Sequence, residues 1–169
     1  VESRLVPANI SSGHDVIEVF ETQSPSVPRF KIEFESASES RVSPLTPMPS
    51  SPLDGLECVD QDYESAATCG GKLPLYLNSA LFEAVFPRLA KCMARDQAAA
   101  LLATTRLVGM QCPGLNSLFQ SLEIHFKTTT ADPSPPTYRV EKADQRFSRL
   151  VLAIESESNW LTGRLDTFC

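Results

Sequence analysis

Between Gln97 and Met110 the chain reads QAAALLATTRLVGM, and its residues up to Thr105 are nearly all small or apolar. A helix with so little polar surface is buried on most of its sides, so the run predicts a helix enclosed by the rest of the fold. Asp96 is expected to cap its start, while the glycines and proline of GMQCPG, 109–114, are expected to end it. Directly afterwards the periodicity drops to two. Leu118, Leu122, Ile124 and Phe126 face one way and Phe119, Ser121, Glu123, His125 and Lys127 the other, which predicts a long half-buried strand. Past the loop TTTADPSPP, residues 138–142, 147–155 and 160–168 read as three more strands joined by short connections, an antiparallel meander. One buried helix followed by consecutive strands is the order expected of an α+β domain of the hot-dog type, an antiparallel curved sheet wrapped around a central helix.

The N-terminal part is simpler. VIEVFE at 16–21 and FKIEFE at 30–35 both alternate, and they predict a hairpin across a Ser/Pro turn. Residues 36–52 are so rich in Ser and Pro that they cannot bury enough apolar area to offset the entropy of ordering, and a mobile loop is expected. Between 78 and 94, Phe82, Val85, Phe86, Leu89 and Met93 lie on one helical face. Asn78 or Ser79 is the expected cap, and Pro87 is expected to kink or split the helix. The 169 residues suffice for one domain, 1–169, with this loop in it.

Charge and composition exclude several functions. With a net charge of -6 and no basic cluster, the chain has nothing to hold a phosphate backbone, and nucleic acid is not an expected partner. No apolar run approaches the roughly 20 residues a bilayer requires, so no membrane association is expected. Cys58, Cys69, Cys92, Cys112 and Cys169 are odd in number and lack a C-x-x-C, which predicts reduced thiols rather than a disulfide framework or a metal site. Without a basic-then-apolar leader at the N-terminus, a cytoplasmic protein is expected. A chain that starts at Val1 rather than Met is expected to be a domain of a longer protein.

Two blocks carry a family resemblance. TRLVGMQCPGLNSLF at 105–119 resembles the end of the central helix and the following turn in MaoC-like acyl dehydratases, a family that includes (R)-specific enoyl-CoA hydratases. YRVEKADQRF at 138–147, followed by an apolar strand and LTGRL at 161–165, resembles the later strands of the same family. The resemblance runs in order over residues 75–168 and implies the hot-dog fold. It further implies reversible hydration of an α,β-unsaturated acyl thioester on coenzyme A or acyl carrier protein, no cofactor, and a homodimer or a second hot-dog domain as companion. The family's machinery is an Asp and a His five positions apart, with a backbone N–H at a helix start polarising the thioester carbonyl. Here Phe20, Val59, Ser65, Ala67, Leu101, Thr137 and Arg149 stand five places after Asp15, Asp54, Asp60, Asp62, Asp96, Asp132 and Asp144, and no such pair exists. Asn116 stands where relatives often carry histidine, and an amide cannot exchange a proton near neutral pH.

The residues expected to meet a substrate are therefore Asp96, Gln97, Arg106, Gly109, Pro113, Asn116 and Ser117. Two of them, and several other residues, have ordinary structural roles to weigh against that. Asp96 is expected as a cap, and Arg106 is expected to pair with Asp144 or Glu123 or to sit at the helix's negative end. Cys112 is expected to be a packed thiol, since no base stands near it in sequence, and Asp144–Arg146 a turn with locally paired charges. His14 is expected in a loop ahead of the first strand, and His125 on the polar face of its strand. Three functions follow: a silent hot-dog domain that binds an acyl chain or serves dimerisation and scaffolding; a hydratase completed by residues of a partner domain; and an interaction module acting through the Ser/Pro loop.

Overall fold

Arg95–Arg106 form helix α4, and the chain then winds through a π-helical turn, Leu107–Gln111, before the strands begin. The computed structural model describes residues 4–7, 14–20, 30–35, 57–87, 89–127 and 134–169; the Ser/Pro segment 36–52 lies outside them. Ahead of α4 come three short strands, β1 (Arg4–Pro7), β2 (His14–Phe20) and β3 (Phe30–Glu35), then helix α1 (Tyr63–Ala66), strand β4 (Gly70–Lys72) and helices α2 (Ser79–Val85) and α3 (Leu89–Cys92). After it come β5 (Leu118–Phe126), β6 (Thr137–Asp144), β7 (Arg149–Glu155) and β8 (Leu161–Phe168).

The expected N-terminal hairpin is present as β2 paired antiparallel with β3, Ile17 opposite Ile32, and β1 adds a third strand along β2. His14 opens β2 rather than preceding it. The helical pattern at 78–94 is split where Pro87 requires it: α2 ends at Val85 and α3 starts at Leu89. Asn78 is the N-cap of α2, its Oδ1 accepting the Leu81 N–H at 3.1 Å.

The larger sheet has the order β4-β6-β7-β8-β5, with every neighbouring pair antiparallel. Strands β6, β7 and β8 are the predicted meander. β4 and β5 lie at opposite edges, so the intervening helices carry the chain across four strand spacings, roughly 19 Å. Register shifts between Phe119 and Ser121 in β5 and between Val140 and Lys142 in β6 are bulges, which bend and twist a sheet, and this sheet is curved.

Alanines bring α4 close to its neighbours. Ala100, Ala103, Leu107 and Val108 pack against Leu150, Leu152, Ile154, Leu161 and Leu165 of the sheet, while Ala98 and Ala99 pack on Leu77 and Phe82 at α2. The helix is thus covered from two sides. It is not enclosed all round, as its composition suggested: Leu102 is 37% exposed, and Thr105 and Gly109 on the same stripe are exposed too. Composition does not tell a helix how many neighbours will reach it. Similarly Val85 and Phe86, expected on the buried face of their helix, are exposed, whereas Phe82 on the same face packs against Ala98 and Ala99.

The bulge in β5 overturns the predicted facing of its first residues. Leu118 is 68% exposed, whereas Phe119 packs against the core together with Leu122, Ile124 and Phe126. One extra residue reverses the parity of everything before it. Phe147 belongs to a 3-10 turn, Gln145–Phe147, and not to β7; it is exposed, and Ser148 follows it with φ 49°.

Candidate functional site

The first turn of α4 is built by short-range hydrogen bonds. Ala94 is the N-cap and has no side chain to offer, so Gln97 reaches back, its Oε1 accepting the Ala94 N–H at 3.0 Å. Asp96 sits inside the first turn and not at the cap, as its sequence position had suggested. Its Oδ1 accepts the Gln97 N–H at 3.0 Å, and the carboxylate there is favoured by the helix dipole. Beside this turn lies a cleft of about 60 Å³ between α2 and α3, edged by Glu83 and Arg95. That volume takes a few waters and falls far below the several hundred Å³ of a site that holds an acyl chain.

The other candidates gather at the far end of the helix. Gly109 faces open space, and a methyl group added there would meet nothing within 4 Å. Pro113 is buried and follows a cis peptide bond from Cys112. Gly114, at φ 97°, passes so close to the Val59 carbonyl that no side chain fits, and Asn116, at φ 67°, is exposed. The Ser117 hydroxyl lies 2.7 Å from the Val108 carbonyl and 2.6 Å from that of Gly114, and it ties the loop to the π-helical turn. The Leu115 N–H donates to Val59 and the Val59 N–H to Met110, so an upstream segment braces the same loop.

Arg106 does not pair as expected. Asp144 is taken by Arg146, and Glu123 meets His125. Instead the guanidinium donates through Nη2 to the Pro74 carbonyl and lies 4.5 Å over the Tyr76 ring. The side chain is only 8% exposed, and its Nε has no hydrogen-bond partner among the described residues. Sequence reasoning missed Pro74 and Tyr76: they sit in an irregular stretch about thirty residues upstream, with no periodicity to place them beside α4.

Asp96 and Gln97 are therefore separated from the Gly109–Ser117 group by the length of α4, about 15 Å from residue 96 to residue 106. The structure brings Gly109, Pro113, Asn116 and Ser117 together and leaves Asp96 and Gln97 apart from them. The Cys112 thiol is fully buried, 3.8 Å from the Ala66 carbonyl, and burial, helped by the neighbouring Cys69, pushes it up into an unreactive range. His125 is on the solvent side of β5, with Nε2 3.1 Å from Glu123 Oε1, and the imidazole is 64% exposed. Among the described residues no group of three or more His, Cys, Asp or Glu stands ready for a metal ion. No described helix is long and apolar enough to cross a membrane.

No protein family description matches this sequence, and no curated protein matches it. A solved structure, the (R)-hydratase from A. caviae involved in PHA biosynthesis, is similar at 19% identity, covering 60% of this chain and 91% of that one with a TM-score of 0.37. At that identity and score the likeness assigns no residue a role. What stands is an α+β chain with a five-stranded antiparallel curved sheet and helices packed on it.

Proposed function

We propose that residues 1–169 form a single cytoplasmic hot-dog domain, related to acyl-thioester dehydratases and hydratases, that binds an acyl group or serves dimerisation and scaffolding without catalysing hydration. Support for the fold comes from the sheet order, with β4 and β5 at opposite edges, and from α4 lying against the sheet's core residues. One observation carries the non-catalytic reading. The carboxylate of Asp96 occupies the first turn of α4, the end whose N–H groups a hydratase would direct at a thioester carbonyl. A negative charge there opposes the oxyanion that forms during hydration. Of the groups able to move a proton, the His125 imidazole engages Glu123 on the outer face of β5, away from this turn.

The test has two arms. Crotonyl-coenzyme A incubated with the chain is expected to keep its enoyl absorbance, while calorimetry records thioester binding or light scattering records a dimer. Hydration by the chain alone would overturn the reading, as would a strict monomer without thioester affinity.

A further inference from the structure

A charged side chain removed from water needs a partner of opposite charge, because the hydration it loses on burial is large and little else repays it. A guanidinium meets that demand less flexibly than an ammonium, since it keeps its charge in the interior. Other arginines of the described chain satisfy it. Arg139 pairs with Glu155, Arg146 with Asp144 and Arg149 with Asp166, and all three are more exposed than Arg106. Arg106 is more than nine-tenths buried, and among the described residues no carboxylate lies within 4.0 Å of it. One carbonyl and one aromatic face supply partial negative charge, and among the described residues nothing accepts from the Nε–H. The dipole of α4 does not substitute for an anion: the backbone continues through the π-helical turn to Gln111, so the free carbonyls of the helix end lie beyond Arg106.

We propose that Arg106, held by the Pro74 carbonyl and lying over the Tyr76 ring, is the receptor for an oxyanion, a carboxylate or a phosphate, whose oxygen accepts from the unsatisfied Nε–H. The inference rests in part on the acyl-thioester reading and deepens it: the oxyanion is either the phosphate of a coenzyme A or carrier-protein arm or the carboxylate of a free acid. The geometry suits the assignment. A guanidinium carries five N–H donors in one plane and binds oxyanions through adjacent pairs; one Nη2–H is committed to the Pro74 carbonyl, while the Nε–H is buried with no acceptor among the described residues and is the donor that lacks a partner. Held between the Pro74 carbonyl and the Tyr76 ring, the guanidinium is positioned before a ligand arrives, which reduces the ordering entropy of binding. Pro74 and Tyr76 lie in a stretch without helix or strand between β4 and α2, so the cover over the guanidinium is loop rather than sheet.

Thermal unfolding of the whole chain, followed at constant ionic strength with chloride as reference, tests this with inorganic phosphate, butyrate and acetyl-coenzyme A as separate probes. A probe at a hundredfold excess over its Kd is expected to raise the wild-type Tm by about 5–10 °C. A rise with butyrate assigns a carboxylate; a rise with phosphate and acetyl-coenzyme A assigns the phosphate arm. Arg106→Met is expected to abolish the rise while leaving the ligand-free Tm unchanged or higher, since an apolar side chain relieves the buried charge; Arg106→Lys keeps a weakened response. Should either variant fail to fold, the wild type labelled with ¹⁵N-arginine answers by itself, its Arg106 Nε–H resonance moving saturably with the same probe. No probe exceeding chloride, with that resonance unmoved, overturns the proposal, and so does a response that survives Arg106→Met. A response to phosphate or butyrate without thioester binding would sustain the anion site and sink only the thioester reading.

Discussion

Gly163 gives the sharpest test of the packing. It sits in β8 between Ile124 of β5 and Ile154 of β7, and a Cβ built on it would stand 2.9 Å from the Glu123 carbonyl oxygen and 3.3 Å from Ile124 Cγ1. The first contact is with backbone held in a ladder, so it cannot be relieved by turning a side chain. Gly163→Ala is therefore an overpacking substitution, destabilising by about 1–3 kcal/mol. Against this stands the lower entropy of the unfolded alanine chain, which stabilises by about 0.4–1 kcal/mol. Gly71→Ala provides the matched control, because it enjoys the same entropic gain in another strand while its Cβ meets only the Tyr138 ring at 3.4–3.7 Å, ordinary contact distance. The two variants are expected to differ by about 1–3 kcal/mol, with Gly163→Ala the weaker. With a urea slope of about 2 kcal/mol/M, that separates their unfolding midpoints by about 0.5–1.5 M. Equal midpoints would refute the claim that β5 and β8 approach so closely at this residue, and with it the register of the β5 edge.

Other outcomes are expected from the same packing. Trp160, the single tryptophan, is 2% exposed, stacks on Phe126 at 5.9 Å between ring centroids and donates to the Ser134 carbonyl at 2.9 Å. Its emission should be blue-shifted and resistant to acrylamide, and Trp160→Phe should cost about 1–2 kcal/mol by leaving that carbonyl unpaired; a quencher-accessible indole contradicts this packing. Cys112 should stay unmodified by a thiol reagent at pH 8 while the exposed Cys58 and Cys169 react, and rapid labelling of Cys112 in the folded chain would show that its burial is wrong. Burial, with the Cys112 and Cys69 thiols beside it, pushes Tyr138 up to about 12 from an ordinary value of 10.0. The unfolded chain then loses this proton first, so stability is unaffected below pH 10 and falls as pH rises from 10 to about 12. Denaturant titrations across that window should show the fall, and Tyr138→Phe should reduce it; an identical fall in the variant excludes Tyr138 as its source.

Where local chemistry decides the outcome, the sequence was readable. Alternation placed β2, β3 and β8, Pro87 split the helical stretch, Asn78 capped α2, and Asp144 and Arg146 paired within their own turn. Readings failed where a distant or extra residue intervened. The three-residue strand β4 is GGK, too short and too lacking in side chains to show a period, and it exists because β6 pairs with it. Leu118 and Phe119 exchanged faces through a bulge that no composition announces.

By itself the sequence determined the order of the longer elements, β2 and β3, the split helical stretch, α4 and the strands that follow it, since periodicity and proline act within a few residues of one another. It also determined that no Asp precedes a His by five positions anywhere in the chain. Only the tertiary structure decided which sides of α4 are covered, because burial depends on what packs from far away in sequence: β7 and β8 on one flank and α2 on another leave Leu102, Thr105 and Gly109 in water. For the same reason it alone could place Arg106 on Pro74 and Tyr76 rather than on an acid, since a guanidinium's surroundings are set by long-range packing and not by its neighbours in the chain.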